Sequence, residues 1–296
     1  MSYADEQFIN TAKRILEEGT LIPVRPVWED TGKHAQVKKI FDVHTVYDLS
    51  KGEFPALTLR PINLKAAINE VLWIYQEKSN NINELDSHIW DAWATSDHKI
   101  GLAYGYQIGN RFRTVANEIK EGNKTVVEYL QLDQMDFVLW ELTHNPNSRR
   151  IITDMYNIDD LSRMGLDPCA FLTQWNTRKV NGTTYLDMIL YQRSQDFLVA
   201  NNWNVCQYCA LLIMVARSVG MMPGKFTHQI ADCHIYDRHI PIIEELIKRE
   251  PYEAPTYINT MKYNNDPETF YLYDESHIKL ENYKHHSQIK NIPVAV

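Results

Sequence analysis

Apolar positions along the chain alternate between helical and strand-like periods. Residues 4–18 place Phe8, Ile9, Ala12, Ile15 and Leu16 at helical spacing, which predicts an amphipathic helix. Residues 23–60 set Val37, Ile40, Val43 and Val46 among polar neighbours before a turn at Gly52, a β-rich pattern. A strong helix follows over 63–77 with Glu70 in its middle. Asn69 precedes that carboxylate and a dense apolar run follows it, so the period leaves open whether it is solvated or buried. Residues 79–113 are polar and aromatic, with Trp90, Trp93, Tyr104 and Tyr106. They read as a long loop with short helices, and a connection of that length is uncommon unless it is functional.

Residues 124–145 are predicted as one helix, stopped by Asn145-Pro146. A strand is expected at 150–156, and two more at 169–175 and 184–193 around a turn at Asn181-Gly182. Residues 203–219 form the most apolar helix, closed by Gly220. Residues 226–236 read as a strand, 239–249 as a helix with basic residues near its end, and the tail from 265 is polar. No internal repeat or linker-like shift interrupts this series, so one mixed α/β domain over 1–296 is the expected organisation.

Composition narrows the partners. A chain of 296 residues that is 44% hydrophobic and 23% charged can bury a large core. The formal net charge of -8 argues against non-specific nucleic-acid binding, while leaving room for a local basic site for a phosphorylated small molecule. Seven Trp and seventeen Tyr supply core, and also stacking surfaces for flat heterocycles. No run reaches the roughly 18–20 consecutive apolar residues of a membrane helix; Ala210 to Ala216 is far shorter. The start, Met-Ser-Tyr-Ala-Asp-Glu, has no basic or apolar leader region. A cytoplasmic protein is expected.

The four cysteines are Cys169, Cys206, Cys209 and Cys233. Cys206-Gln-Tyr-Cys209 has CxxC spacing, but it opens an apolar helix with no second pair to complete a metal site, which favours buried helix residues. Cys169 follows Asp167-Pro168 at the start of a strand. A lone cysteine is more often inert core than nucleophile, and a nucleophilic thiol needs nearby positive charge. Arg149-Arg150 after a Pro turn and Arg193-Ser194-Gln195-Asp196 at a strand end could supply it. Arg suits bidentate phosphate recognition, although a surface ion pair is the default for any single one. Strand alternation puts His234 and Tyr236 on one face, where they could hold sugar hydroxyls or serve as satisfied core residues. His234 and His239 lack helical i, i+4 spacing and a completing ligand, so no metal site is expected.

Taken in order, these segments resemble the thymidylate synthase family, folate-dependent enzymes that methylate dUMP. The resemblance runs from about residue 20 to the end. It rests on Gly52–Arg60, Asn69–Gln76, Ile89–Ala94, Ala103–Gln107, Asn145–Arg150, Pro168-Cys169, Gln192–Asp196, Asn204, Asp232–Tyr236 and Pro293–Val296. It implies an α/β (α+β) domain with a mixed, mostly antiparallel sheet packed by helices, and a homodimer formed sheet to sheet. It also implies 5,10-methylenetetrahydrofolate as co-substrate, with no metal, and roles for particular residues. Cys169 would attack C6 of uracil. Arg193 would bind phosphate and favour the thiolate, with Ser194 also on the phosphate. Arg149 and Arg150 would reach the nucleotide of the other subunit. His234 and Tyr236 would hold the deoxyribose. Asn204 would both accept from uracil N3–H and donate to O4, favouring dUMP over dCMP. Glu70 would act through ordered water and Tyr104 would assist removal of the C5 proton. Trp90 and Trp93 would pack against folate, Asp196 would line the nucleotide and pterin, and the tail ending at Val296 would close the site.

The sequence departs from the family pattern at several points. Ala170 replaces a frequent His, Ala200-Asn-Asn-Trp203 replaces Gly-Leu-Pro-Phe, and Ala231 replaces Gly. The phosphate-loop arginine is also displaced: the usual Arg-Thr-Gly-Thr run is Asp30-Thr31-Gly32-Lys33, and Arg25 in Val24-Arg-Pro-Val-Trp28 is the better candidate. Two alternatives stand beside methylation. One is a dUMP hydroxymethylase of the same fold, in which water in place of hydride quenches the methylene intermediate. The other is a non-catalytic RNA-binding role, which the charge pattern does not suggest.

Overall fold

The computed structural model describes residues 2–122, 124–262 and 265–295. Helix α1 (Tyr3–Glu18) starts where Ser2 Oγ accepts from Asp5 N at 3.1 Å, and it buries Phe8, Ile9, Ala12 and Ile15. Strands β1 (Thr20–Val27) and β2 (His34–Asp48) follow, then helix α2 (Leu64–Tyr75), capped by the Asn63 side chain. The β-rich expectation over 23–60 therefore ends early: beyond Asp48 there is one short 3-10 turn and then irregular chain. The aromatic segment from 79 carries 3-10 turns and helix α3 (Gly105–Gly109), as its composition suggested.

The single helix predicted over 124–145 does not exist. Its first part is β4 (Lys124–Leu132), which pairs antiparallel with β3 (Arg113–Glu121) in a separate two-stranded hairpin. Helix α4 (Gln134–His144) begins after it. The break is chemical: Asp133 is extended, and its Oδ1 accepts from Met135 N and Asp136 N at 3.0 Å each. The segment 124–132 is rich in β-branched and aromatic side chains, which a strand accommodates better than a helix.

The remaining strands are β5 (Ile152–Asp154), β6 (Ala170–Val180), β7 (Thr183–Asp196), β8 (Met222–Tyr236), β9 (Thr256–Asn259) and β10 (Ile278–Glu281). The main sheet has the order β1-β2-β8-β7-β6-β5. Every neighbouring pair is antiparallel except β7 and β8, which run parallel. The β6–β7 turn is Asn181-Gly182, both at positive φ (50° and 85°), as a two-residue hairpin turn requires. A parallel pair needs a long crossover. Here that crossover is α5 (Phe197–Ser218), which starts six residues earlier than the apolar run suggested because Asp196 caps it. Helix α6 (Ile240–Leu246) follows β8.

The result is a single mixed α/β domain whose core lies between the sheet, α5, α1 and α2. By length and composition α5 could cross a membrane, yet it is the central core helix, with Leu211, Leu212, Ile213, Met214 and Val215 buried. Cys206 and Cys209 are buried on this helix as free thiols, consistent with the core reading of their spacing.

Because the Asp133 cap separates hairpin from helix, Asp133→Ala should destabilise the protein by about 1–2 kcal/mol. It also removes one of the two carboxylate partners of Lys78, leaving Asp136. Urea unfolding followed by circular dichroism reads this directly; an unchanged midpoint would show that α4 starts for another reason.

Candidate active site

Cys169 sits immediately before β6, and β6 is bulged beside it. Ala170 pairs with Gln192 but Leu172 pairs with Tyr191, so Phe171 is an extra residue. The backbone of Cys169 is held on both sides: its N–H donates to Tyr104 Oη at 3.1 Å, and its carbonyl accepts from Arg193 N at 2.9 Å. The Arg193 guanidinium closes the same loop, with Nε donating to Pro168 O at 3.0 Å and an Nη donating to Asp167 O at 2.7 Å. An arginine has five N–H donors, so three remain for a ligand.

Burial raises the Cys169 thiol pKa; the Arg193 charge opposes this and Asp167 adds to it. The expected help from Arg193 is thus present in sign, but in the unliganded protein burial outweighs it. Tyr104, likewise buried, has its hydroxyl pKa raised well above the usual value, first by burial and then by Cys169. Its backbone has φ 47° and ψ −106°, a strained setting for a residue with a side chain. The next residue must be Gly105, because a Cβ there would lie 2.1 Å from Ser79 O.

Glu70 is buried on α2, which resolves what its period left open. Its carboxylate accepts from Trp90 Nε1 at 2.9 Å and from Trp203 Nε1. Burial raises its pKa, while hydrogen bonding from Trp203, Trp90 and Gln207 opposes the shift. Gln207 Nε2 is itself buried without a well-directed partner, close enough to favour the charged carboxylate. Trp90 packs edge-on against Tyr104 at 4.8 Å and Trp93 at 5.8 Å between ring centroids, so these aromatics adjoin the cysteine through Tyr104.

Asn204, two turns into α5, has Oδ1 accepting from Gln192 Nε2 at 3.1 Å and Nδ2 donating to Gln207 Oε1 at 3.3 Å. Gln192 is the residue before Arg193 on β7, so the amide, the arginine and the cysteine share one strand junction. Gln192 Oε1 lies 3.1 Å from Gln195 Nε2 and 2.7 Å from His228 Nε2.

The parallel register sets Ser194 beside Asp232 and Asp196 beside His234. His234 and Tyr236 share a face, as alternation predicted, with ring centroids 5.4 Å apart. His234 Nδ1 lies 2.9 Å from Asp232 Oδ1, and Lys39 pairs with the same carboxylate. Burial works against the Asp232 charge, but these two partners more than compensate and hold its pKa below the usual range. The Tyr236 hydroxyl is pushed up to about 12 by burial, then by the neighbouring Asp196, Cys169 and Asp232. Asp196 Oδ1 caps α5 and lies 3.5 Å from His239 Nδ1. His239 Nε2 meets Pro293 O at 2.7 Å, and Ala295 bridges to Trp28, so the tail is fastened near Asp196. Val296 lies outside the described residues.

Three expected phosphate ligands lie at the surface of the chain. Arg25 is exposed on β1, and Arg149 and Arg150 are exposed on the loop before the edge strand β5. Sequence reasoning missed Trp203, Gln207, His228 and His239. In the sequence Trp203 stands out only as a departure from the family pattern, and its position next to Asn204 is the available signal. Among the described residues no three His, Cys, Asp or Glu side chains gather as a metal site.

This arrangement offers a thiol in a partly dry setting, amide donors and acceptors suited to a heterocycle, a buried carboxylate and an arginine with N–H donors to spare. Comparison with known proteins shows which family the chain is similar to. The family model described as thymidylate synthase matches residues 6–296, starting earlier than the motifs alone implied. Thymidylate synthase of Bacillus licheniformis is 38% identical over 291 residues, covering 96% of each chain. Thymidylate synthase 1 of Bacillus subtilis strain 168 is 36% identical with the same coverage. Among solved structures, the thermostable thymidylate synthase A from Bacillus subtilis superposes with a TM-score of 0.83 at 36% identity, covering 99% of both chains.

The opposed influences on Cys169 predict a pH signature. In unliganded protein its alkylation by iodoacetamide, followed by peptide mass spectrometry, should have a midpoint above the ordinary thiol range. Arg193→Met should move that midpoint further up and Asp167→Asn should move it down; a midpoint that falls in Arg193→Met protein contradicts the electrostatic assignment.

Proposed function

This chain belongs to the thymidylate synthase family, and from that premise we propose that it converts dUMP to dTMP with 5,10-methylenetetrahydrofolate as one-carbon and hydride donor, Cys169 being the nucleophile. The observation that carries the reading is the strand junction at which Cys169 and Arg193 are joined by a backbone hydrogen bond and the Asn204 amide is bonded to Gln192, the residue before Arg193.

Uracil C6 is a weak electrophile, so the thiolate must be strong and the developing charge stabilised. Nucleotide phosphate engages Arg193 and Ser194, with Arg25 as a further ligand. Cys169 Sγ bonds to C6, and the displaced electron pair moves onto C5 and O4. Asn204 accepts from N3–H and donates to O4, using the one hydrogen-bonding position that each of its terminal atoms retains. C5 then bonds to the folate methylene as its bond to N10 opens, and loss of the C5 proton afterwards breaks the methylene's bond to N5, freeing tetrahydrofolate and leaving a methylene on C5. Tyr104 assists loss of the C5 proton, and Glu70, held by two indole N–H groups, moves protons through ordered water. Hydride from tetrahydrofolate completes the methyl group as the Cys169–C6 bond breaks, leaving dihydrofolate. His234 and Tyr236 hold the deoxyribose hydroxyl. Trp90, Trp93 and Asp196 meet the folate, with Asp196 also at the edge of the nucleotide, and the tail through Val296 excludes water. The enzyme acts in the cytosol.

A homodimer completes this reading. On β7, Met188, Leu190 and Gln192 are buried, while the alternate residues Ile189 and Tyr191 are half-buried on the opposite face. A second sheet packed there covers them. It also brings Arg149 and Arg150, exposed at the sheet edge, to the phosphate in the partner subunit.

Four outcomes test the proposal. Cys169→Ser should bind dUMP yet form no dTMP, and substantial product from it would remove the nucleophile assignment. Glu70→Gln should keep dUMP affinity and lower kcat by about a hundredfold or more, the size of a lost acid–base group. Arg149→Ala,Arg150→Ala protein mixed with Cys169→Ala protein should regain activity; no rescue in proven heterodimers would rule out cross-subunit contacts. Finally, the ultraviolet change as dUMP is consumed should report dihydrofolate. Tetrahydrofolate together with hydroxymethyl-dUMP would point to the hydroxymethylase.

A further inference from the structure

On the reading that this site binds dUMP, we propose that His228 is a positioning residue for base selectivity. As its Nε2–H tautomer it fixes the direction of the Gln192 carboxamide, and through Gln192 it turns the Asn204 amide toward the pattern of uracil and away from that of cytosine.

His228 lies on β8, buried, its ring stacked 5.8 Å from that of Phe226. Parallel pairing puts Leu190 beside His228 and Gln192 beside Ile230, so the His228 and Gln192 side chains share the face of the sheet that α5 covers. Burial depresses the imidazole to about 3, so the ring is neutral near physiological pH and carries one N–H.

Two groups converge on one end of Gln192. Gln195 Nε2 is a donor at 3.1 Å, and Gln195 Oε1 in turn accepts from Asn201 Nδ2 at 3.1 Å. His228 Nε2 is the second group, at 2.7 Å. With a donor already there, the end of Gln192 that meets them is oxygen, and His228 completes it by carrying its proton on Nε2. The other end of Gln192 is then the NH2, which must meet the oxygen of Asn204 at 3.1 Å. Asn204 Nδ2 is left to donate to Gln207 Oε1 at 3.3 Å.

The direction of this chain decides what the base meets. In this direction Asn204 Oδ1 offers an acceptor to N3–H and Nδ2 offers a donor to O4, which complements uracil. With the proton on Nδ1 instead, His228 Nε2 becomes an acceptor and favours the reversed Gln192 and Asn204. The reversed Asn204 would donate to an unprotonated N3 and accept from an exocyclic amine, which complements cytosine. Selectivity at the base is therefore held from a second layer, where an apolar residue would otherwise be the natural choice for a buried strand position.

Calorimetric titration of dUMP and of dCMP into wild-type, His228→Phe and His228→Gln protein tests this. The ratio of the two dissociation constants does not depend on the fraction of protein that is folded, so it separates positioning from loss of structure. In His228→Phe the preference for dUMP should fall about tenfold, the scale of one neutral hydrogen bond. His228→Gln, which can again donate to Gln192, should restore most of it. An unchanged ratio in His228→Phe overturns the inference. Should that variant not fold, 15N spectra of histidine-labelled wild-type protein decide: a neutral ring protonated on Nε2 supports the inference, whereas protonation on Nδ1 or a charged ring overturns it. Wild-type protein that binds neither nucleotide overturns the reading of the site and this inference with it, independently of the tautomer.

Discussion

The parallel pairing of β7 with β8 is the constraint on which the rest of the structure turns. Within a sheet that is otherwise antiparallel, it demands a crossover, and the 22-residue α5 supplies it. The pairing aligns the ends of both strands, so that Ser194 meets Asp232 and Asp196 meets His234. The crossover leaves β7 at Asp196 and immediately delivers Trp203, Asn204 and Gln207 to the same end of the sheet. An antiparallel β7–β8 hairpin would send those two strand ends to opposite sides of the molecule.

The groups gathered there are costly to hold. A carboxylate or a thiolate removed from water is disfavoured, and the upward shifts at Glu70 and Cys169 record that cost. The structure offsets it in different ways. Glu70 receives two indole N–H donors, whereas Cys169 receives the field of a single arginine whose other contacts are backbone carbonyls. The carboxylate is therefore firmly positioned before any ligand arrives. The thiol is positioned by its backbone but only partly activated, and on the proposed function full activation belongs to the complex with nucleotide and folate.

Recognition is layered in the same manner. Asn204 would touch the base, but its amide has no intrinsic direction; Gln192, Gln195, Gln207 and His228 provide one. Similarly, Asp232 orients His234, and His239 links Asp196 to the tail. Each of these second contacts is made by a residue whose own surroundings are buried or paired, which is what gives a site definite geometry.

Much of this was legible along the chain. The helices at 4–18 and 63–77, the Asn181-Gly182 hairpin, and the shared face of His234 and Tyr236 follow from periods and turn chemistry that act over a few residues. The motifs around Cys169, Arg193 and Asn204 likewise stood in order. Other features were decided only by the tertiary structure. The hairpin of β3 and β4 leaves Val126, Val127 and Tyr129 exposed, so burial imposes no alternation on its sequence, and its identity as strand comes from pairing with a partner. Glu70 is buried because Trp90, 20 residues away, and Trp203, 133 residues away, close over it. His228 looks like any isolated histidine until a parallel register sets it against Gln192. Local periods are fixed by backbone geometry and can be read from neighbours in sequence; the direction of an amide or the charge of a buried carboxylate depends on partners that only the folded chain brings within hydrogen-bonding distance.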